Sequence, residues 1–134
     1  MFAPTNSDSG VSTSIPVRIL IVEDDYFVAI ELEDRLSEAG FAVVGIAVTA
    51  EEAIEKAAAE KPQIAIMDVR LAGRRDGVDA ATELYKKFGI LSIFATAHGD
   101  AQTRERARPA NPVGWLQKPY SAPALIAAVK AALK

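Results

Sequence analysis

Five times along this chain a short run of β-branched and aliphatic residues ends in a turn or helix signal, and that repetition restricts the fold more than any other feature. Residues 17–23 form the first run, and Asp25 to Ala39 follow with helical spacing, Phe27, Ile30 and Leu36 inward and Gly40 as the stop. Phe41 to Ala47 is the second strand. Thr49 opens the next helix with Glu52 three residues on, the pattern of a capping box, and that helix runs to Glu60 before Pro62 stops it. The third run, Ile64 to Met67, delivers Asp68. A loop rich in Gly and Arg leads to a helix from about Asp76 to Phe88 that buries Ala80, Leu84 and Phe88. Ile90 to Thr96 and Val113 to Gln117 are the last strands, and Ser121 caps a final helix with Leu125, Val129 and Leu133 on one face. Short apolar runs bounded in this way are strands covered on both faces. Strands that alternate with helices make a parallel α/β sheet with right-handed crossovers and helices on both sides.

One helix is poorly specified. Between His98 and Val113 there is no Leu, Ile, Val, Met or aromatic residue, and Ala101 and Ala107 are the clear apolar anchors. Helices draw most of their stability from burial, and Pro109 and Pro112 cannot continue one, so the fourth helix is expected to be short and weakly anchored.

At 134 residues the chain is one domain with room for a core. A net charge of −3 argues against nucleic-acid binding, the lack of cysteine excludes disulfides and thiolate metal sites, and no apolar run reaches membrane-spanning length. Residues 1–15 are polar and lack the basic start and apolar stretch of a signal peptide. They are expected to be a flexible tail on a domain over 16–134, and the expected location is the cytoplasm.

In a parallel sheet the carboxyl ends of the strands gather along one edge, where ligands bind at the switch of strand order. Here that edge carries Glu23-Asp24-Asp25, then Asp68, then Thr96, then Lys118. Crowded carboxylates disfavour one another's ionisation, and a hard divalent cation is the usual remedy. Taken singly, each residue has an ordinary reading. Asp25 fits a helix N-cap, Thr96 a cap for the next helix, Lys118 a solvated turn and Trp115 plain core. His98 reads as a loop residue at the rim, and Arg74 and Arg75 as a solvated loop. The coincidence of four strand ends carrying acid, acid, hydroxyl and ammonium favours a functional site.

Five motifs in this order carry a resemblance: Ile-Val-Glu-Asp-Asp (21–25), Met-Asp-Val-Arg-Leu (67–71), Asp-Gly-Val-Asp (76–79), Phe-Ala-Thr-Ala (94–97) and Lys-Pro-Tyr (118–120). With them the chain resembles the receiver domain of two-component response regulators over nearly all of 16–134. The resemblance implies a flavodoxin-like doubly wound sheet of five strands in the order 2-1-3-4-5 with five helices. It implies that Asp68 accepts a phosphoryl group from a histidine kinase or phosphotransfer protein. Glu23, Asp24, Asp68 and the main-chain carbonyl of Arg70 would hold Mg²⁺. Thr96 and Lys118 would bind the phosphoryl oxygens, Trp115 would report the switch, and Lys118-Pro119 would be a cis peptide. By position, Arg70 and His98 would flank the attacking water.

Three departures stand beside the match. Ala72 replaces a frequent proline and the loop to Asp76-Gly77 is one residue longer, so that loop is expected to be displaced. Phe94-Ala95-Thr96 is similar to a single-domain subgroup with a Phe-Ala-Thr-Gly-Tyr-like motif, but Ala97-His98 breaks the match. No output domain follows, so the expectation is a stand-alone switch that acts by contact with a downstream protein and catalyses only its own phosphorylation and dephosphorylation. Two rivals are a phosphorylation-independent pseudo-receiver and, with a poorer motif fit, a Mg²⁺-dependent phosphohydrolase.

Overall fold

Every strand forms where the apolar runs place it, and all five pair in parallel. The computed structural model describes residues 15–134, so the expected tail lies, apart from Ile15, outside the described residues. The elements are β1 (Arg18–Val22), α1 (Tyr26–Glu38), β2 (Ala42–Ala47), α2 (Ala50–Glu60), β3 (Ile64–Asp68), α3 (Gly77–Phe88), β4 (Leu91–Thr96), α4 (Ala101–Ala107), a 3₁₀ turn (Arg108–Ala110), β5 (Gly114–Gln117) and α5 (Ala122–Ala132). The sheet order is β2-β1-β3-β4-β5, the doubly wound arrangement expected.

Alternation along each strand divides the core in two. Leu20, Val22, Ala65, Met67 and Phe94 face α2 and α3, where Ala53, Ala57, Ala80, Ala81 and Leu84 meet them. Ile19, Ile21, Ile64, Ile66, Ile93 and Leu116 face Ala29, Leu32 and Leu36 of α1 and Leu125 and Val129 of α5. One polar atom in this interior has no partner among the described residues, the Oγ of fully buried Ser92. An unpaired buried hydroxyl costs more than an apolar group of the same size. Ser92→Ala should therefore raise stability by about 0.5–1.5 kcal/mol in urea melts, and a loss of stability would contradict it.

Three apolar assignments are corrected. Phe27 is 87% exposed rather than inward. It lies two residues from Ala29, on the far side of the stripe formed by Ala29, Leu32 and Leu36, and Ile30 is only half-buried at its flank. Phe88 is 39% exposed and Leu133 40% exposed, each at the C-terminal end of its helix, while Ile90 just beyond Phe88 is buried in the core with Leu84. The capping pattern also shifts. Thr49 accepts from the Glu52 N–H at 3.1 Å, but the Glu52 carboxylate takes the Val48 N–H at 2.7 Å instead of closing the box. The reciprocal box forms on α3, between Asp76 and Asp79.

The fourth helix is short, as expected, with Asp100 rather than Thr96 as its cap. Its anchor Ala107 is fully buried while Ala101 is exposed, and Ala110 in the 3₁₀ turn is the second buried contact. Ion pairs add to its attachment. Arg106 bonds to Asp76 and lies 3.8 Å from Asp79, which ties the helix to the start of α3.

Candidate functional site

The carboxyl ends of β1, β3, β4 and β5 meet above the sheet, and each sends at least one polar side chain there. At the end of β1 the three acids are used differently. Asp25 caps α1, accepting from the N–H groups of Phe27 at 3.0 Å and Val28 at 3.3 Å. Glu23 turns inward: it is buried, its N–H donates to the Ala47 carbonyl at 2.9 Å, and its carboxylate accepts from the Asp25 N–H at 3.1 Å. Asp24 stays exposed at the rim.

Asp68 closes β3 and is also buried, with one oxygen accepting from the Arg70 N–H at 3.2 Å. Its position depends on a glycine. The Gly77 N–H donates to the Val69 carbonyl at 2.7 Å, and a Cβ on Gly77 would lie 1.8 Å from the Asp68 carbonyl oxygen. The start of α3 therefore presses directly on the peptide that carries the acid.

Lys118 follows β5 before a cis Lys118-Pro119 peptide, as expected, and its N–H is bound by the Thr96 carbonyl at 2.9 Å. Its ammonium donates to Asp68 at 3.0 Å and to Glu23 at 3.1 Å. The second contact was not foreseen, because sequence spacing does not reveal which of two acids a lysine reaches. Thr96 is buried at the end of β4, and its Oγ accepts from the His98 N–H at 3.1 Å. With that lone pair engaged, the hydroxyl proton points elsewhere.

Oxygens of Glu23, Asp24 and Asp68 all lie within 4.8 Å of one another. Two of these acids are buried and, among the described residues, one ammonium meets them, so the group carries excess negative charge. Burial first, and then the hydrogen bond and charge of Asp68, push the Glu23 carboxyl up to about 7, against the opposing pull of the Asp25 N–H and Lys118. Burial works against the Lys118 ammonium, but Asp68 and then Glu23 outweigh it and hold its pKa above the ordinary lysine value. Clustered hard oxygen donors with unbalanced charge fit a hard divalent cation such as Mg²⁺. They open into a cleft of about 520 Å³ whose lining also includes Arg70, Thr96 and His98.

Trp115 is placed apart from this cleft. It is half-buried on β5 beside Phe94, with ring centroids 4.8 Å apart and planes at 25°. The Arg104 guanidinium lies 4.6 Å from the indole centroid, a contact that sequence reading missed. Arg75 is not simply solvated either: it pairs with Glu83 at 2.5 Å and Glu51 at 3.9 Å.

Comparison with known proteins agrees with this arrangement. A family model described as the response regulator receiver domain matches residues 19–130. The chain is 37% identical over 129 residues to the transcriptional regulatory protein PdtaR of Mycobacterium tuberculosis, covering 96% of this chain and 62% of that one. It is 35% identical over 121 residues to the phyllosphere-induced regulator PhyR of Methylorubrum extorquens, covering 89% and 44%. The chain thus spans under two thirds of the length of these curated relatives. The receiver domain of a modulated diguanylate cyclase from Desulfovibrio desulfuricans superposes with a TM-score of 0.82 at 35% identity, covering 89% of this chain and 94% of that one. With the sheet order, the acid cluster and the matched span in agreement, the chain belongs to the response regulator receiver family of two-component systems.

Proposed function

We propose that Asp68 accepts a phosphoryl group from a histidine kinase or phosphotransfer protein, and that the chain signals the change by contact with a downstream protein. The observation that carries this reading is the Lys118 ammonium, 3.0 Å from Asp68 within a cluster of three carboxylates. A carboxylate beside one fixed cation, with room for a second, suits attack on phosphorus. An Asp68 oxygen forms the new P–O bond, the P–N bond to the donor histidine breaks, and its electron pair stays with the departing imidazole.

Glu23, Asp24, Asp68 and the Arg70 carbonyl would hold Mg²⁺, which supplies charge neutralisation for the transferring phosphoryl group. Lys118 pairs with Asp68 at rest and with a phosphoryl oxygen afterwards, keeping its position through Glu23. The Thr96 hydroxyl donates to another oxygen. Because His98 is bonded to that hydroxyl, the β4–α4 loop follows Thr96 inward and space opens for the Trp115 ring. In this reading the chain works as a regulator in the cytoplasm, acts through protein contact rather than through nucleic acid or a membrane, and catalyses only its own phosphorylation and dephosphorylation.

Trp115 is the only tryptophan, so the reading is tested by titrating beryllofluoride, a mimic of the phosphoryl group, with Mg²⁺ and following fluorescence. A saturable, Mg²⁺-dependent change is expected in the wild type and its loss in Asp68→Asn. No response in the wild type favours a pseudo-receiver, and turnover of a simple phosphate ester favours a phosphohydrolase.

A further inference from the structure

Arg104 joins three parts of the molecule: α4, β5 and the loop that leaves Thr96. It stands on α4, its guanidinium lies 4.6 Å from the centroid of the Trp115 ring on β5, and its Nε donates to the Gly99 carbonyl at 3.3 Å. Gly99 belongs to the loop that leaves Thr96. A Cβ placed on it would lie 3.4 Å from the Arg104 guanidinium and 3.5 Å from the Thr96 methyl, so both side chains converge on one Cα. The same indole stacks on buried Phe94, which fixes the side of β5 on which Arg104 finds it.

We propose that Arg104 is a positioning residue for the switch, a latch that holds the Trp115 indole and the loop carrying Thr96 in the resting arrangement. This deepens the phosphoacceptor reading and rests on it. When Thr96 moves toward a phosphoryl oxygen, residues 97–99 move with it, through the bond from the His98 N–H to the Thr96 hydroxyl. The Gly99 carbonyl cannot move and keep its bond to Arg104 unless the guanidinium slides off the indole. Phosphorylation and the Arg104–Trp115 contact therefore oppose each other.

The latch is weak by construction. A solvent-exposed guanidinium over an indole contributes little, and its hydrogen bond to Gly99 is long. A contact of that strength biases an equilibrium without blocking it. By linkage, whatever it gives the resting state it takes from ligands that prefer the other state.

The test uses the full chain as wild type, Arg104→Ala and Arg104→Lys, titrated with beryllofluoride and Mg²⁺. Two quantities are read: bound fluoride by ¹⁹F NMR, and quenching of Trp115 by acrylamide. Arg104→Ala should bind beryllofluoride about two- to fivefold more tightly than the wild type. Its indole should be more readily quenched before any ligand is added. Lysine keeps the charge over the ring but not the planar fork, so Arg104→Lys should fall between the two. Equal affinity and equal quenching in all three proteins, or weaker binding by Arg104→Ala, would overturn the latch while leaving the phosphoacceptor reading intact. Absence of bound fluoride in the wild type would bring down that reading and the latch together.

Discussion

Gly77→Ala should cost about 3 kcal/mol or more of stability and reduce beryllofluoride binding more than tenfold. Helix propensity alone argues the opposite, since alanine is favoured over glycine in a helix by about 1 kcal/mol. Gly77 opens α3 with a close approach to backbone rather than an unusual dihedral: its Cβ would fall 1.8 Å from the Asp68 carbonyl oxygen. A main-chain atom cannot rotate away as a flexible side chain can. Either the start of α3 lifts from β3, breaking the bond from the Gly77 N–H to the Val69 carbonyl, or the Asp68 peptide is displaced. Both outcomes move the acid away from Lys118. Urea melts and fluoride binding on the same samples check this, and an alanine variant more stable than the wild type would contradict it.

Lys118→Ala is the second large effect, and its size depends on pH. Among the described residues the ammonium is the one cation bonded to the buried carboxylates of Glu23 and Asp68, and removing one partner of a buried ion pair leaves the other uncompensated. Partial exposure of the lysine moderates the cost to about 2–3 kcal/mol at pH 8. The Glu23 carboxyl already titrates at about 7 in the fold against an ordinary 4.5. Its contribution to stability is therefore fully present below pH 4.5 and is lost as pH rises through 7. Without Lys118 that pKa climbs further and the loss extends to higher pH. The deficit of the variant should be small near pH 5 and largest near pH 8, and Mg²⁺ should recover more stability in the variant than in the wild type. Equal deficits at both pH values would show that the lysine acts by packing alone.

The parts of this molecule that the sequence makes legible are those that depend on local pattern. Apolar runs of strand length, the caps Asp25, Thr49 and Ser121, and the stop at Pro62 are set by neighbours within a turn, and each falls where expected. Convergence of Glu23, Asp68, Thr96 and Lys118 follows from topology, because strand ends in a parallel sheet share an edge. Reading failed where burial depends on tertiary packing: Phe27 falls on the outer face of α1, and Phe88 and Leu133 lie at helix C-terminal ends. It also failed where a long side chain chooses among distant partners. Lys118 reaching Glu23, Arg106 reaching Asp76 and Arg104 reaching Trp115 are contacts across 95, 30 and 11 residues of chain, and no periodicity encodes them. Gly77 is an intermediate case: the Asp-Gly pair signals a turn, but its reason is the carbonyl of Asp68 beneath it.

Incubation with a small phosphodonor and Mg²⁺, followed by borohydride reduction and peptide mapping, tests the central claim most directly. Reduction converts an aspartyl phosphate to homoserine and marks its position in the chain. The account predicts a label on Asp68 that is labile to base before reduction, depends on Mg²⁺ and is absent from Asp68→Asn. A label on another residue, or one that persists in Asp68→Asn, would contradict it.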